Sequence, residues 1–447
     1  NDTSKFSLAT AMTVVEGGRL VFAVTMDKVS DQTVQVNYAT SDETAESGMD
    51  YGATFGTLEF SAGTTWLTVG IPTLDDDVNE CLEVVRLTLS EPHGSGCVAV
   101  GLGMSETVTG MIDDNDMPEL QVHSLGPVTE GDFAVFYVSL DIVSQQSITV
   151  AYNTTDDSAT SPADYSATDD VLTFLPGITG MTVAIGTNID AVVECSEPFI
   201  FELTTATAPC SLVQLAVASA FGIIDDTGFV HVDVGAVSTA NEGDRVVFGI
   251  TLDAASSQTV EVDYTTRDES AFSDEDYVAA SGRLTFTPGV TKLTVGIDVV
   301  DDDRNECTES FILELGNPDG VDCGKVILGV ADQAPVDILD DDSVSVDIAP
   351  APPVAEGQAL VFCVTLDRQS QQSIQINYTT QQGQAKSGDD YAHTAGVAVF
   401  LPGMTKLAIP VVTHVDGINE CDEELELWVD AANGVQCGGV IGVPVNQ

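Results

Sequence analysis

The sequence is poor in positive charge and in aromatic side chains. Among 447 residues there are 13 Lys+Arg against 71 Asp+Glu, which gives a formal net charge of -58. Such a field repels nucleic acid and anionic membranes. No apolar run approaches the roughly 20 residues needed to span a bilayer. The sequence also lacks a nucleophile elbow, a His-Glu-x-x-His motif, a Cys-x-x-Cys motif and a phosphate loop, so we do not expect an enzyme.

The acidic excess has more than one explanation. It opposes compaction unless cations neutralise part of it, so bound divalent ions, a salty environment and a merely soluble acidic surface are all compatible with it. The numbering starts at Asn1 without Met or a basic and apolar leader. We therefore expect a processed or excised chain, in which a removed signal peptide would not be visible.

One unit of about 113 residues occurs four times along the chain. We expect four domains, repeat 1 at 1-116, repeat 2 at 117-227, repeat 3 at 228-343 and repeat 4 at 344-447, the last incomplete. A Glu-Gly pair marks each repeat, at Glu16-Gly17, Glu130-Gly131, Glu242-Gly243 and Glu356-Gly357.

The hydrophobic pattern indicates short strands and no helix of useful length. In repeat 1, for example, Leu20, Phe22 and Val24 fall on one face of a strand. Seven such strands, separated by turn signals, are typical of an antiparallel β-sandwich. We therefore expect an all-β protein of four tandem seven-stranded sandwiches of the immunoglobulin-like type in an extended rod, the last lacking its final strand.

Strand direction places the acidic loops of each repeat at one end of its sandwich. If consecutive strands A to G run antiparallel, the A–B, C–D and E–F loops and the end of strand G share one pole. In repeat 1 those places hold Glu16, Asp50, the run Asp75 to Glu80, and Asp113-Asp114. The turns at the opposite pole carry little charge.

Carboxylates gathered at one pole need a cation. Each close like-charge contact costs on the order of 1 to 4 kcal/mol at surface dielectrics. Calcium takes six to eight oxygen ligands, whereas zinc prefers histidine and cysteine, and the sequence has only five histidines. A single Asp triplet taken alone would indicate a solvated turn. Four loops directed at one pole, repeated along the chain, favour Ca²⁺.

The motifs of repeat 1, taken in order, resemble the Calx-beta domain. They are Glu16-Gly17, Gly48 to Tyr51, Gly56 to Phe60, Asp75 to Glu80, and Ile112 to Asp114. This family includes the calcium sensors of sodium/calcium exchangers and tandem extracellular adhesion proteins. The resemblance covers almost the whole chain.

The resemblance implies calcium ligands in every repeat. Repeats 1 and 3 carry a complete set, repeat 2 has Ile189 and Ala191 beside its central Asp, and repeat 4 lacks the closing acids. We therefore expect fewer ions or weaker binding in repeat 2 and an incomplete site in repeat 4. The implied ligands are Glu16, Asp50, Asp76, Glu80, Asp113 and Asp114; Glu130, Asp164, Asp190, Glu194, Asp225 and Asp226; Glu242, Asp276, Asp302, Glu306, Asp340 and Asp341; and Glu356, Asp390, Asp416 and Glu420.

Each repeat has one pair of cysteines, which indicates disulfides and an extracellular compartment. Bonding within each repeat would be the simplest connectivity. However, Cys81 opens strand F at the acidic pole and Cys97 follows it at the far pole, roughly 25 to 30 Å away. We therefore hypothesise bonds across the junctions between repeats. The pairs are Cys81 with Cys210, Cys195 with Cys323, and Cys307 with Cys437.

The junction hypothesis leaves Cys97 and Cys421 at opposite ends of the chain, placed to join chains head to tail. An unfinished last sheet would also expose an edge that another chain's strand could fill. An excised piece of a longer tandem array explains the same features equally well. Cys363 is either a free thiol or a lateral cross-link. Sequons at Asn1, Asn153 and Asn377 are compatible with glycosylation.

The function that these features favour is an extracellular calcium-binding structural or adhesion protein. Because strand G leaves at the acidic pole and enters the next repeat directly, calcium would stiffen the junctions of a rod, which we expect to assemble head to tail into a filament. Cell-surface or matrix partners fit this function. The alternatives are a ligand-binding adhesin and a calcium-sensing module of a larger surface protein.

Overall fold

The computed structural model describes residues 3–320, 322–434 and 436–437. The chain forms two compact units, one of Asn1–Asp190 with Ser196–Thr227 and one of Ala191–Cys195 with Gly228–Gln447. Within the described ranges every regular element is a β-strand, and no helix there could cross a membrane. The expectation that repeat 4 lacks its final strand concerns 438–447, which lie outside the described residues.

Repeat 1 is a sandwich of a four-stranded and a five-stranded sheet. Its strands are β1 (Ser4–Ala9), β2 (Val14–Val15), β3 (Arg19–Met26), β4 (Val34–Asp42), β5 (Phe55–Phe60), β6 (Trp66–Pro72), β7 (Val78–Asn79), β8 (Glu83–Gly94), β9 (Val100–Leu102) and β10 (Thr107–Asp113). The sheet orders are β6-β3-β1-β9 and β2-β10-β8-β4-β5.

The first predicted strand is divided between the two sheets. β1 pairs antiparallel with β3, whereas β2 pairs parallel with β10. The chain crosses over at Met12, whose side chain is 88% exposed, so the inward alternation is interrupted there. The crossing brings Glu16 beside the end of β10, where the backbone N–H of Glu16 donates to Asp113 O over 3.1 Å.

Repeat 2 has the same two sheets, ordered β17-β13-β11-β20 and β12-β21-β19-β15-β16. Its strands are β11 (Glu119–Ser124), β12 (Val128–Thr129), β13 (Phe133–Leu140), β14 (Val143–Ser144), β15 (Ile148–Asp156), β16 (Asp169–Phe174), β17 (Gly180–Gly186), β18 (Val192–Val193), β19 (Glu197–Thr207), β20 (Gln214–Val217) and β21 (Ser219–Asp225).

Repeat 3 is ordered β28-β24-β22-β30 and β23-β31-β29-β26-β27, and repeat 4 is ordered β32-β33-β36 and β35-β34-β37. The strands are β22 (Val230–Val234), β23 (Thr239–Asn241), β24 (Arg245–Leu252), β25 (Ala255–Ser256), β26 (Val260–Asp268), β27 (Ser281–Phe286), β28 (Lys292–Asp298), β29 (Glu309–Gly320), β30 (Val326–Leu328), β31 (Gln333–Leu339), β32 (Val346–Ala349), β33 (Ala359–Leu366), β34 (Ile374–Gln382), β35 (Ala395–Phe400), β36 (Lys406–Val412) and β37 (Leu425–Gly434).

Each repeat encloses its own hydrophobic core between its two sheets. The inward residues of each strand supply it, as period-2 alternation predicts. One tyrosine per repeat is at most 1% exposed in this core and directly precedes or follows acidic loop residues. These tyrosines are Tyr51, Tyr165, Tyr277 and Tyr391.

Two short strand pairs tie a loop of one repeat to the following repeat. In the first unit, β7 pairs parallel with β14, so that Asn79 lies opposite Ser144. In the second unit, β18 pairs parallel with β25, so that Val193 lies opposite Ser256. Val193 also joins the core of repeat 3.

Candidate metal centre

The loop that carries Asp50 is fixed by a buried tyrosine. The Tyr51 hydroxyl donates to Asp42 Oδ1 over 2.6 Å, and the Ser47 N–H donates to the same oxygen over 3.0 Å. The Glu46 backbone N–H donates a hydrogen bond to Asp50 Oδ2 over 2.5 Å. Burial and Asp42 raise the pKa of Tyr51 to about 12, so the hydroxyl remains a donor. The Asp50 carboxylate is therefore held in place by its own loop.

Three repeats share this tie and the fourth lacks it. Tyr165 donates to Asp156 over 2.7 Å in repeat 2, and the corresponding pair in repeat 3 is Tyr277 with Asp268. In repeat 4 the aspartate is replaced by Gln382, and the buried Tyr391 hydroxyl has no hydrogen-bond partner. Sequence reasoning missed this positioning aspartate, although it stands nine residues before the tyrosine in the first three repeats.

An inner carboxylate group in repeat 1 consists of Asp50, Glu80 and Glu83. One oxygen from each lies within 4.8 Å of the others. Burial, followed by the charge of Asp50, raises the pKa of Glu80 to about 7. Burial and a hydrogen bond with Asp50 raise the pKa of Glu83 to about 8. Both glutamates are therefore easier to protonate than an exposed carboxylate, first because they are buried and then because Asp50 lies beside them.

Glu83 is a member that sequence reasoning missed. It is the last residue of a Glu-Cys-x-Glu motif that occurs in every repeat and places Glu197, Glu309 and Glu423 at the same position. In repeat 3, burial and Asp276 raise the pKa of Glu309 to about 7. The fourfold recurrence of the motif was the signal that could have identified it.

An outer carboxylate group in repeat 1 consists of Glu16, Asp114 and Asp116, again within 4.8 Å of one another. Burial, Asp114 and Asp116 raise the pKa of Glu16 to about 7. Gly17 after the glutamate has φ +70°, and a Cβ there would lie 3.0 Å from the Asp75 side chain. The Glu-Gly turn therefore needs glycine to bring Glu16 over the pole. Asp116 was not predicted.

Asn115 links the outer group to the next loop. Its backbone and side-chain N–H groups both donate to Glu16 Oε1 over 3.0 Å, and its Nδ2 donates to Asp75 Oδ1 over 3.1 Å. Repeat 3 has Asp341 at this position, where an amide is replaced by a further carboxylate.

The two groups of repeat 1 line one small cavity. Its volume is about 10 Å³, which is about one water-sized sphere, and its walls include oxygens of both groups. Glu83 Oε2, from a residue of this lining, and Asp116 Oδ2, which lies outside it, are both buried without a hydrogen-bond partner. Enclosed carboxylate oxygens that lack donors fit a hard cation, which accepts such oxygens as ligands. The lining residues are Glu16, Asp50, Leu74, Glu80, Cys81, Glu83, Ile112 and Asp114.

Repeat 3 gathers more carboxylates than repeat 1. Glu242 lies within 4.8 Å of Asp340 and Asp342 in one group and of Asp301 and Asp341 in another. Burial, then Asp340, raises the pKa of Glu242 to about 8. Glu242 is therefore shared by two carboxylate groups.

A cation of the protein itself balances part of the charge in repeat 3. Arg368 forms an ion pair with Asp342. Even so, Glu242 Oε2 and Asp342 Oδ2 are enclosed without a hydrogen-bond partner. Two buried acceptors therefore remain for a further cation.

Repeat 2 keeps an acidic pole with fewer members. Asp164 and Glu197 lie within 4.8 Å of each other, and burial and Asp164, followed by Glu130 and Asp190, raise the pKa of Glu197 to about 7. Ile189, which replaces Asp75 of repeat 1, is 76% exposed.

Three other acidic positions of repeat 2 contribute differently. Asp225 accepts a hydrogen bond from the Ser196 hydroxyl. Glu194 belongs to the segment Ala191–Cys195 of the second unit. Asp226 aligns with Asp114, and Gly228 stands where repeat 1 has Asp116.

Most of the predicted acids of repeat 4 are exposed, whereas Asp390 is half-buried. Desolvation and Asp416 raise the pKa of Glu420, and desolvation and Asp390 raise that of Glu423. Glu356 is also exposed. Residues 438–447, outside the described residues, contain no Asp or Glu.

The central aspartates of the E–F loops also have a local role. Asp76 Oδ1 accepts the N–H of the residue two positions later over 2.8 Å, and Asp302 and Asp416 do the same over 2.7 Å. These hydrogen bonds hold the turn of each loop through Oδ1. They leave Oδ2 of each aspartate for another contact. Asp113 is exposed at the end of β10.

Asn79 connects the outer group of repeat 1 to repeat 2. Its side chain is fully buried. Nδ2 donates to Asp114 Oδ2 over 3.0 Å, and Oδ1 accepts from Ser144 Oγ over 2.9 Å and from Gln146 Nε2 over 3.1 Å. One amide therefore joins a candidate ligand to the next sandwich.

Asn305 makes the same contacts between repeats 3 and 4. Its Nδ2 donates to Asp340 Oδ2 over 3.0 Å, while its Oδ1 accepts from Ser370 Oγ over 2.8 Å and from Gln372 Nε2 over 3.1 Å. The two junctions therefore share the same set of hydrogen bonds around their asparagine.

The junction at β18 and β25 departs from this design. Val193 stands where the other junctions have asparagine, and it offers no side-chain acceptor. Gln258 is 2% exposed, and its Nε2 has no hydrogen-bond partner. The unmade hydrogen bond follows directly from the valine.

Three disulfides span successive repeats, and their pairs are those of the junction hypothesis. They join Cys81 to Cys210, Cys195 to Cys323 and Cys307 to Cys437, with Cα–Cα distances of 5.5, 5.7 and 5.6 Å. Cys97, Cys363 and Cys421 are free. Bonding within each repeat, the simpler alternative, is therefore wrong.

The two sequons on strands differ in exposure. Asn377 on β34 is exposed. Asn153 on β15 is half-buried, and its Oδ1 is enclosed without a partner. Asn1 lies outside the described residues.

The chain belongs to the Calx-beta domain family. The family model matches residues 1–116, 113–228, 224–342 and 344–447, so four Calx-beta repeats follow one another along the chain.

Similar proteins include extracellular and membrane proteins. The human extracellular matrix organizing protein FRAS1 is 38% identical over 98 residues, which are 22% of this chain and 2% of that protein. The sodium/calcium exchanger Calx of Drosophila melanogaster is 35% identical over 144 residues, 31% of this chain and 14% of that protein. The chain thus spans a small part of these relatives.

A solved structure of the calcium binding domain CBD12 of CALX1.1 is 23% identical to the chain. The match covers 46% of this chain and 81% of the chain in that structure, with a TM-score of 0.25.

Proposed function

We propose that this chain is an extracellular calcium-binding structural module in which calcium stiffens the connections between consecutive repeats. The observation that carries the proposal is the double role of Asp114. It belongs to the outer carboxylate group, and it accepts a hydrogen bond from Asn79, which Ser144 and Gln146 of repeat 2 hold from the other side. Ion binding and junction geometry therefore depend on the same carboxylate.

Calcium would be held by the predicted ligands together with further carboxylates that the structure adds to them. These are Glu83 and Asp116 in repeat 1, Glu197 in repeat 2, and Asp301, Glu309 and Asp342 in repeat 3. The ion supplies positive charge and replaces repulsion between carboxylates with coordination. Without it, each close contact of like charges costs on the order of 1 to 4 kcal/mol.

The repeats would differ in calcium binding. Repeats 1 and 3 carry acids at the positions of both groups, whereas repeat 2 has Ile189 and Gly228 at two acidic positions and the predicted acids of repeat 4 are exposed except for Asp390. We therefore expect the strongest binding in repeats 1 and 3. The domain limits 1-116, 117-227, 228-343 and 344-447 are part of this proposal.

An extracellular location is supported by two observations. Disulfides persist in oxidising compartments, and this chain has three. One relative is named as a matrix-organizing protein. A structural or adhesion role in a filament, with matrix or cell-surface partners, fits both.

Small-angle scattering of the intact chain tests this function. With calcium we expect a narrow distribution of maximum dimensions, and with chelator a broad one, because the junctions loosen. Asp114→Asn, which keeps an acceptor for Asn79 but removes a charge, should reduce the calcium effect. Identical profiles with calcium and with chelator would contradict the proposal. A switch between a compact and an extended shape would instead support a calcium sensor.

A further inference from the structure

The chain carries both halves of a further junction. We call the residues that receive a loop in repeats 2 and 4 the acceptor face: a Ser-x-Gln segment and the cysteine after strand F. Repeat 1 has the same residues, Ser30, Gln32 and Cys97. We call the inserted Asn-Glu-Cys loop the donor tip, which repeat 4 carries at residues 419–421. Cys97 and Cys421 are free and exposed.

The serine of the acceptor face of repeat 1 is hydrogen-bonded differently from that of an occupied face. Ser144 Oγ donates to the inserted Asn79 over 2.9 Å. Ser30 Oγ, at the same position, instead donates to the backbone oxygen of Gln32 over 2.7 Å. Ser30 is 5% exposed, so its hydroxyl is already placed within the face. That hydroxyl must turn away from Gln32 to donate to an inserted asparagine.

The donor tip of repeat 4 has the sequence of the inserted tips but not their burial. Asn79 and Asn305 are at most 1% exposed, whereas residues 419–421 are exposed. Ile418 is 64% exposed, and the corresponding Val78 pairs with the next repeat through β7 and β14. A strand partner and three polar contacts are thus missing at this tip.

We propose that the acceptor face of repeat 1 binds the donor tip of repeat 4 of a second copy, and that a Cys97–Cys421 disulfide closes the contact. The same halves are joined three times within the chain, each time with a disulfide. The inference extends the proposed structural module to its assembly and rests on that proposed function.

The covalent step is a thiol–disulfide exchange. The thiols of Cys97 and Cys421 lose two protons and two electrons and form one S–S bond. A small-molecule disulfide such as oxidised glutathione takes up both and leaves as two thiols. The solvent exposure of both cysteines gives that reagent access.

One substitution in the acceptor face makes this junction dependent on cations. Gln145 in repeat 2 contacts Glu80 of the inserted tip. Repeat 1 has Asp31 at this position, which would lie beside Glu420 of the second copy. Two like charges there oppose docking unless calcium or salt screens them.

Non-reducing electrophoresis of the intact chain, with calcium and a glutathione redox buffer, tests the proposal. We expect a ladder of dimers, trimers and longer species, and a peptide in which Cys97 is bonded to Cys421. An equal mixture of Cys97→Ser and Cys421→Ser chains should form disulfide-linked dimers and no longer species, because each chain keeps only one of the two cysteines. Cys363→Ser is the matched control and should leave the ladder unchanged. In chelator, the Asp31→Gln chain should form at least twice as much of the oligomer ladder as the unsubstituted chain.

Several results would overturn the proposal. They are a monomer under all conditions, a ladder that survives in the mixture, or native material in which Cys97 is bonded to a peptide other than Cys421. Peptide mapping of the three internal disulfides verifies that each variant is folded. Calcium binding is measured on the Cys97→Ser chain, so loss of assembly with intact calcium binding would refute this inference and leave the proposed function in place.

Discussion

Asn79 Nδ2 donates a hydrogen bond to Asp114 Oδ2 over 3.0 Å. This contact joins a carboxylate of the acidic pole to a fully buried amide whose Oδ1 accepts hydrogen bonds from repeat 2. One side chain therefore contacts both a candidate metal ligand and the next repeat.

Replacing Asn79 with valine reproduces the junction at Val193. The change leaves the Ser144 hydroxyl without Asn79 Oδ1 as its acceptor, and an unsatisfied buried polar group costs about 1 to 3 kcal/mol. Gln146 Nε2 loses one acceptor but keeps Glu80 O and Ser211 Oγ. We expect a loss of about 2 kcal/mol in the free energy of unfolding of the first unit, measured by denaturant titration. No loss would show that these hydrogen bonds do not stabilise the junction.

Gln146→Met and Gln258→Met form a matched pair. Gln146 Nε2 donates to Asn79, whereas Gln258 Nε2 has no partner. Both glutamines accept backbone N–H groups through Oε1, Gln146 from Cys210 and Gln258 from Asp322 and Cys323. Gln258→Met should therefore cost about 1 to 2 kcal/mol less than Gln146→Met. Equal costs would contradict the assignment of Gln258 as an unsatisfied donor.

Tyr51→Phe and Tyr391→Phe separate the loop tie from the packing of the ring. Tyr51 loses its hydrogen bond to Asp42, whereas Tyr391 has none to lose. We expect faster amide exchange at residues 46–51 and a free energy cost of about 1 kcal/mol for Tyr51→Phe only. Hydrogen exchange with mass spectrometry checks both loops in one experiment. A similar change in both loops would refute the role of Asp42.

The stability of the calcium-free chain should fall as pH rises from about 4.5 to 8. The pKa of Glu80 is raised from 4.5 to about 7, and those of Glu83 and Glu242 to about 8. In this window the folded chain binds more protons than the unfolded chain, so raising the pH favours unfolding. Below pH 4.5 these groups are protonated in both states.

Thermal unfolding in chelator at several pH values measures this dependence. With calcium present the decline should be much smaller, because the ion replaces the protons and binds more tightly as they leave. A calcium-free melting temperature that rises between pH 5 and 8 would contradict the prediction.

Glu83→Gln tests the member of the inner group that the sequence analysis missed. Removing one of three close carboxylates should stabilise the calcium-free chain and weaken calcium binding at repeat 1 at least tenfold. Glu59→Gln is the control, since Glu59 lies on β5 and contacts Gln35. Equal calcium affinities for the two variants would exclude Glu83 as a ligand.

The sequence predicted the sandwiches because inward alternation in each strand shows which residues form a core. It also predicted that Asp50 and Glu80 share a pole, because antiparallel strand order decides at which end a loop lies. It did not predict Glu83, the first residue of β8, because only the recurrence of Glu-Cys-x-Glu in all four repeats distinguishes this residue from a solvated strand residue.

Other features needed coordinates. The transfer of the first strand between sheets depends on the pairing of β2 with β10, which strand periodicity does not specify. The buried role of Asn79 depends on contacts with repeat 2 that are far away in sequence. The junction disulfides were accessible to reasoning because the length of strand F separates Cys81 from Cys97.

Isothermal titration calorimetry of the intact, oxidised chain with calcium is the most direct test of the central claim. We predict uptake of several ions per chain, with release of protons at pH 7. We also predict loss of the tightest binding when Asp114 and Asp340 are replaced by asparagine. Absence of calcium uptake by the folded chain would contradict the account.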